Sequence, residues 1–289
     1  MTDARPMIWV NGERLPFDGL HVSARDRGLT LADGLFETLR AHGGTVFRLE
    51  RHLARLVHGL GRLQIPVPAE LDEWVVAAVR AADLREASVR LTVTRGVGPG
   101  GLAPPDDVRP TTIIAVNPMP PFPASVYETG LTAHVASGRR NEYAMTAGLK
   151  TVAYADSVAA LLEARRHGAD EALFLDVEGH CSEATASNLF IWIDQLLLTP
   201  PVSCAALPGI TREAIVELAR TLGLRTAEQP FALAELQRAD EAFLTSSLRA
   251  IAPLVKVAGE PIGDGRPGPV TRRVAAAYAE LVARECRAE

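Results

Sequence analysis

The sequence predicts a mixed α/β protein, with hairpins and helices segregated in the α+β manner, folded as two lobes. Three observations carry this reading. At 289 residues the chain is longer than the usual single domain, and 47% apolar residues can fill a sizeable core. The first half is patterned as hairpins and one amphipathic helix, whereas the second alternates apolar strands with helices. Between them, Asn117-Pro118-Met119-Pro120-Pro121-Phe122-Pro123 can neither continue a helix nor donate regularly to a sheet. The lobes are therefore placed at 1–118 and 125–289, with 119–124 as linker.

Ile8-Trp9-Val10 turns at Asn11-Gly12 into a polar–apolar alternation, a hairpin signal. A second hairpin follows. Leu35 to Ala41 alternates around Phe36, Thr38 and Arg40, and His42-Gly43-Gly44 turns the chain into Thr45-Val46-Phe47. Leu53, Leu56, Val57, Leu60 and Leu63 then fall at helical spacing, with Arg51, Arg55 and Arg62 elsewhere on the cylinder. Ser88 to Arg95 and Thr111 to Val116 read as strands. In the second half the expected strands are Ala172 to Leu175, Asn188 to Ile193 and Glu241 to Leu244. The expected helices are Ala155 to His167, Thr211 to Leu222 and Val270 to Ala283.

Several function classes are disfavoured. A net charge of -5, with Lys and Arg scattered, leaves no electrostatic footprint for nucleic acid. Asp156 and the cluster from Glu163 to Arg166 interrupt the longest candidate membrane span, and MTDARPMIWVNG has no apolar signal core. A cytoplasmic protein is expected. Cys181, Cys204 and Cys286 are odd in number and far apart, so they are read as plain thiols, with neither a disulfide framework nor a metal site.

Gly96-Val97-Gly98-Pro99-Gly100-Gly101 matches G-x-G-x-x-G after a strand, but Pro104-Pro105 block the helix whose N-terminus would face a pyrophosphate. The informative constellation is later. Lys150 is a cation among small and apolar residues before a helix start, and a lysine shielded from water becomes nucleophilic toward an aldehyde. Glu183 precedes Ala184-Thr185-Ala186-Ser187-Asn188, small residues past which a carboxylate can approach a ligand. A carboxylate beside a pyridine nitrogen keeps it protonated and makes the ring an electron sink. Leu207-Pro208-Gly209-Ile210-Thr211 enters a helix whose first N–H groups, at Ile210 and Thr211, can face an anion, and Arg55 can add a charge-assisted contact. Singly, each has a plainer reading: a solvated lysine, a turn glutamate, an ordinary helix start, a solvated helix face. Together they match a phosphate-anchored aldehyde cofactor.

At these residues the chain resembles the class IV aminotransferases, the pyridoxal 5'-phosphate (PLP) enzymes of fold type IV. This family includes branched-chain and D-amino acid aminotransferases and 4-amino-4-deoxychorismate lyase. The resemblance runs in order through DRGLTLADGLFETLR, RLERHLARL, GLK, DEALFLDVEGHCSEATASNLF, LPGITREAI and DEAFLTSS. It implies a small N-terminal α/β domain and a larger C-terminal mixed one, with the cofactor between them, in a homodimer. It implies Lys150 as the Schiff-base lysine that also removes the substrate α-proton, Glu183 at the pyridine nitrogen and Arg55 at the phosphate. Ile210, Thr211 and Ser247 complete the phosphate cup, and Tyr154 lies against the cofactor's phenolic oxygen.

Substrate features depart from the subfamily patterns. The branched-chain pattern carries tyrosine near Leu31 and glycine at Thr38. The carboxylate trap of D-amino acid enzymes is replaced by Gly100 and Leu102. Arg40, on the face of Phe36 and Thr38, is the expected substitute, and Arg140 the second candidate. Gly148-Leu149-Lys150-Thr151 and Ser246-Ser247-Leu248-Arg249 look lyase-like, while Ala153 does not. The expectation is a transaminase acting between an amino acid and a 2-oxo acid, with D-amino acids ahead of branched-chain L-amino acids. The lyase is the alternative, and a non-catalytic PLP-binding or structural protein is the reading from another class.

Overall fold

A computed structural model describes residues 6–287. Residues 1–5 and 288–289, at the outer ends of the two expected lobes, lie outside the described residues. The chain divides into two compact units. One comprises the chain up to Pro120, the segment Leu149–Ala153 and the chain from Val282 onward. The other comprises Pro121–Gly148 and Tyr154–Leu281. The linear division expected at residues 119–124 differs in two respects: the chain from Val282 onward belongs to the first unit, and so does Leu149–Ala153, for a reason given below. No helix among the described residues is long and apolar enough to cross a membrane.

The first unit is built on a six-stranded sheet. Its strands are β1 (Met7–Val10), β2 (Glu13–Leu15), β3 (Gly34–His42), β4 (Thr45–Val46), β5 (Glu86–Thr94) and β6 (Thr111–Pro118), in the order β2-β1-β6-β5-β3-β4. Helices α1 (Arg27–Leu31), α2 (Leu49–Arg62) and α3 (Leu71–Ala82) complete it. The β1–β2 hairpin turns at Asn11 and Gly12, both at positive φ, as an Asn-Gly turn requires. Leu35, Leu39 and Ala41 of β3 point into one core with Leu56 and Leu60 of α2 and Val75, Ala78 and Val79 of α3. The predicted apolar stripe of α2 is off at one position: Val57 is exposed, and His52 and Gly59 take buried places instead.

The glycine-rich loop after β5 is not a phosphate cradle. A Cβ at Gly96 would lie 1.9 Å from the Arg109 carbonyl oxygen, so glycine is required there by the loop's own closure. Arg27 donates to the carbonyl oxygens of Gly101, Leu102 and Ala103 at 2.9–3.2 Å. A loop whose carbonyls gather round a guanidinium has the wrong polarity for an anion.

The second unit carries a nine-stranded sheet of β7 (Leu131–Arg140), β8 (Glu171–Asp176), β9 (Cys181–Ala184), β10 (Asn188–Ile193), β11 (Leu196–Thr199), β12 (Thr226–Glu228), β13 (Glu241–Ser246), β14 (Ala250–Val257) and β15 (Glu260–Pro261). The path β10-β13-β14-β7-β8-β9 closes on itself where Glu183 of β9 pairs with Asn188 of β10. Helices α4 (Ser125–Glu128), α5 (Ala155–Arg166), α6 (Ile210–Thr221), α7 (Leu233–Arg238) and α8 (Pro269–Glu285) surround this sheet or extend from it. All six residues of β8 are buried. Leu173 and Leu175 enter the core within the sheet, and Ala172 and Phe174 meet Ala160 and Ala164 of α5. Covering on both faces explains why β8 reads as an unbroken apolar run rather than an alternation.

Candidate active site

In the first unit, Lys150 is registered by the backbone. The edge of β3 that β4 covers only at Ala41 and His42 pairs at its other end with residues 150–152: Phe36 N–H donates to the Lys150 carbonyl at 2.9 Å, and Val152 N–H to the Gly34 carbonyl at 3.1 Å. Leu149 packs on the first core. Pairing to a strand more than a hundred residues earlier is what returns Leu149–Ala153 to this unit. The Lys150 amino group lies 4.5 Å from the centre of the buried Phe36 ring. Arg90, directly across from Thr38 in β5, places its guanidinium 3.7 Å from the same ring. Two cations thus lie against one aromatic ring, Lys150 from one edge of β3 and Arg90 from the other, and the sequence reading missed Arg90. Its signal was the alternation of β5, which sets Ser88, Arg90 and Thr92 on one side.

Arg40 lies on that side too, but its guanidinium is held by Glu86 at 2.9 and 3.2 Å, and Glu86 also accepts from His42. Arg55 sits on the opposite side of β3. It donates to both oxygens of Glu37, at 2.8 and 2.6 Å, and His52 Nδ1 lies 2.7 Å from the same carboxylate. Burial pushes the Glu37 carboxyl up, but the hydrogen bonds and charges of His52 and Arg55 outweigh it and hold its pKa at about 2. Burial, more than the charges of Arg55 and Lys150, holds the His52 imidazole below its ordinary pKa. Glu37 and His52 were also missed. A carboxylate in the register of Leu35 and Leu39 is itself the signal, because a core-facing charge demands partners.

In the second unit, Glu183 is half-buried on β9. Its Oε2 accepts from Leu207 N–H at 2.9 Å and from Asn188 Nδ2 at 3.5 Å, and Arg140 lies 3.5 Å from its Oε1. Arg140 also donates to Ser157 at 3.1 Å and stacks 4.2 Å from the Phe174 ring. Arg140 therefore faces Glu183. Asn188 donates to the Leu207 carbonyl at 2.8 Å, and a Cβ at Gly209 would lie 1.9 Å from Asn188 Oδ1, so only glycine fits that approach to α6.

Gly209 is the N-cap of α6 and no side chain caps the helix. The N–H groups of Ile210 and Thr211 lie in its first turn, which has no intrahelical acceptors. The Thr211 hydroxyl lies 3.4 Å from that of Tyr278. Tyr154 is the N-cap of α5, and Ser247 lies in the turn between β13 and β14. Glu171, unanticipated, is buried between the Thr185 hydroxyl at 2.5 Å and Arg249 at 3.3 Å.

The family model described as amino-transferase class IV matches residues 34–257. The branched-chain-amino-acid aminotransferase of Escherichia coli K12 is 35% identical over 281 residues, 94% of this chain and 91% of that protein. The crystal structure of the E. coli branched-chain aminotransferase superposes with a TM-score of 0.91 at 34% identity, covering 98% of this chain and 96% of that one. A 4-amino-4-deoxychorismate lyase from Pseudomonas aeruginosa gives a TM-score of 0.85, also at 34% identity, over 94% and 98%. With a family model matched from β3 to the end of β14 and relatives matched nearly end to end, the chain belongs to the class IV aminotransferases and is a pyridoxal 5'-phosphate-dependent enzyme.

Proposed function

We propose that this enzyme transaminates amino acids with Lys150 as the proton-transferring base, and that its preferred amino donor is a branched-chain L-amino acid. The observation that carries the reading is the pair of cations on Phe36: the Lys150 amine at 4.5 Å and the Arg90 guanidinium at 3.7 Å from one ring. Such a pair offers a base for the substrate α-proton and a bidentate partner for a substrate carboxylate. Arg90 takes the role expected of Arg40, whose guanidinium is engaged by Glu86. Phe36 and Thr38 give the sheet face its apolar and hydroxyl character.

The residues present fit PLP. The first turn of α6, uncapped by any side chain, and the close approach at Gly209 suit a phosphate, with the N–H groups of Ile210 and Thr211, Ser247 and Arg55 as its holders. When bound, the cofactor supplies an aldehyde that captures an amine and a ring that accepts electron density. Glu183 holds a proton at the ring nitrogen, with Leu207 N–H and Arg140 balancing its charge. Tyr154 is assigned to the phenolic oxygen. Lys150 moves the substrate α-proton.

The relatives described above are named for branched-chain amino acids or for a lyase. The substrate reading follows them rather than the D-amino acid preference expected from the sequence. The 34% identity with the lyase makes pyruvate elimination the second reading. A half-reaction separates them: L-leucine alone, without a 2-oxo acid, should bleach the cofactor's visible band while D-alanine does not. Bleaching by D-alanine and not L-leucine would reverse the stereochemical choice. Indifference to both, with pyruvate released from aminodeoxychorismate, would select the lyase.

The chain is also read as a homodimer. Leu20 is wholly exposed and Phe17 and Leu29 are at least half exposed, apolar side chains that a second copy would cover. A monomer that is fully active in sedimentation analysis would remove this reading.

A further inference from the structure

The β8–β9 turn and the short 3-10 helix Val202–Cys204 bring together three side chains of different donor chemistry. One ligand atom each from Asp176, His180 and Cys204 lies within 4.8 Å of the others. Asp176 and Cys204 are buried, while the His180 side chain is 40% exposed and gives a route in. His180 Nδ1 is 3.3 Å from Asp176 Oδ2, and the Cys204 sulfur lies within 4.8 Å of a ligand atom of each. With zinc–nitrogen and zinc–oxygen bonds of about 2.0 Å and zinc–sulfur of about 2.3 Å, the edges of a tetrahedral site come to about 3.3 and 3.5 Å. The imidazole–carboxylate edge already has that length. Any remaining gap to the sulfur closes by little more than an ångström.

A plainer account covers only part of this. Asp176 Oδ1 accepts the His180 N–H at 2.7 Å, an ordinary hairpin-closing bond. That bond explains neither a thiol arriving from another segment nor Glu142. One Glu142 oxygen accepts Val177 N–H at 3.0 Å, whereas the other, Oε1, is buried without a hydrogen-bond partner. Val177 directly follows Asp176, so Glu142 stands at the same turn. A buried carboxylate oxygen lacking a donor is costly unless something positive satisfies it.

We propose that Asp176, His180 and Cys204 bind a divalent cation of the zinc class, with Glu142 as a supporting carboxylate at the same turn. The mixed oxygen, nitrogen and sulfur set suits a borderline-soft ion and is wrong for magnesium or calcium. Binding exchanges the thiol proton for the metal, so one proton is released to solvent from Cys204. The site departs from the metal-free expectation because a histidine four residues after an aspartate, with a cysteine 24 residues further on, matches no recognised zinc spacing. It would fasten the β8–β9 turn to the chain just before Leu207, whose N–H holds Glu183.

The test uses chelator-treated holoenzyme titrated with cobalt(II), read as a difference spectrum against metal-free holoenzyme so that cofactor absorbance cancels. One equivalent should produce a thiolate charge-transfer band in the near ultraviolet and tetrahedral ligand-field bands in the visible, both erased by zinc. Cys204→Ser should abolish the charge-transfer band, and Glu142→Gln should weaken cobalt binding about tenfold, as loss of a supporting carboxylate does. No such band in the parent enzyme, or a band that survives Cys204→Ser, overturns the proposal. If Cys204→Ser does not fold, His180→Gln, at a part-exposed turn, decides alone: unchanged cobalt affinity overturns it and a loss of about 100-fold upholds it.

Discussion

The two faces of β3 obey opposite rules although their residues alternate one by one. On the core side Leu35, Glu37, Leu39 and Ala41 are 2% exposed or less, and Glu37 is gripped by His52 and Arg55. On the other side Phe36 lies against the Lys150 amine and the Arg90 guanidinium, and Thr38 and Arg40 are half-buried. A charge in the core cannot be spare, because leaving it unpaired costs several kcal/mol. A charge on the other face rests against a ring or a part-exposed partner instead of being sealed in the core. Strand periodicity thus separates scaffold from chemistry within nine residues, and a one-residue slip would exchange the two sets.

The sharpest way to break the chemical face is Lys150→Ala. Turnover should fall by roughly 10⁴-fold, the upper range for a lost acid–base group, and the cofactor's visible band should vanish. Steady-state rates and an absorbance spectrum check both, and retained turnover would remove Lys150 from the mechanism.

The scaffold face breaks differently. Glu37→Gln leaves Arg55 without its counter-charge and should cost about 3 kcal/mol of stability in denaturant unfolding, with weaker cofactor retention because Arg55 is no longer held. Acid gives the same information without mutation. The Glu37 pKa in the fold, about 2, lies below the ordinary 4.5, so the unfolded chain protonates first as pH falls. Its stabilisation is complete above about pH 4.5 and is lost toward pH 2, about 3 kcal/mol in all. His52 acts in the same direction from a higher pH. Its lowered pKa means that protonation, beginning below about 6.5, favours the unfolded chain. Glu37→Gln should flatten the lower part of this acid profile, and an unchanged profile would show that the triad does not couple to folding.

How much of this was legible follows from how local each signal is. The hairpin at Asn11-Gly12, the helix α2 and the strand β10 carry their periodicity in a few residues, and the sequence reading located them. Helix α3 carries the same kind of pattern, with Val75, Ala78 and Val79 at helical spacing, and went unread. Strand β14 was hidden by Pro253, which usually argues against a strand interior, and β7 by register shifts that break its alternation. In the site, residue types were legible and neighbours were not. Lys150 stood out by composition, but its seat on β3 depends on a backbone pairing 114 positions distant, between residues 36 and 150. Arg40 and Arg90 share a face by parity alone, and the register of β3 on β5 is what brings Arg90 beside Phe36.

That register yields the finest test of the two arginines. Arg90→Met should lower kcat/KM for the amino acid by about 30- to 100-fold, mostly through KM, since a charge-assisted carboxylate contact is worth roughly 2–3 kcal/mol. Arg40→Met should change kcat/KM by less than about threefold and cost only about 0.5–1 kcal/mol of stability, because its ion pair with Glu86 is a quarter to a third exposed and His42 still binds that carboxylate. The reverse outcome, with Arg40→Met crippling KM and Arg90→Met silent, would return the substrate carboxylate to Arg40. Glu86 would then be a partner that yields when substrate arrives.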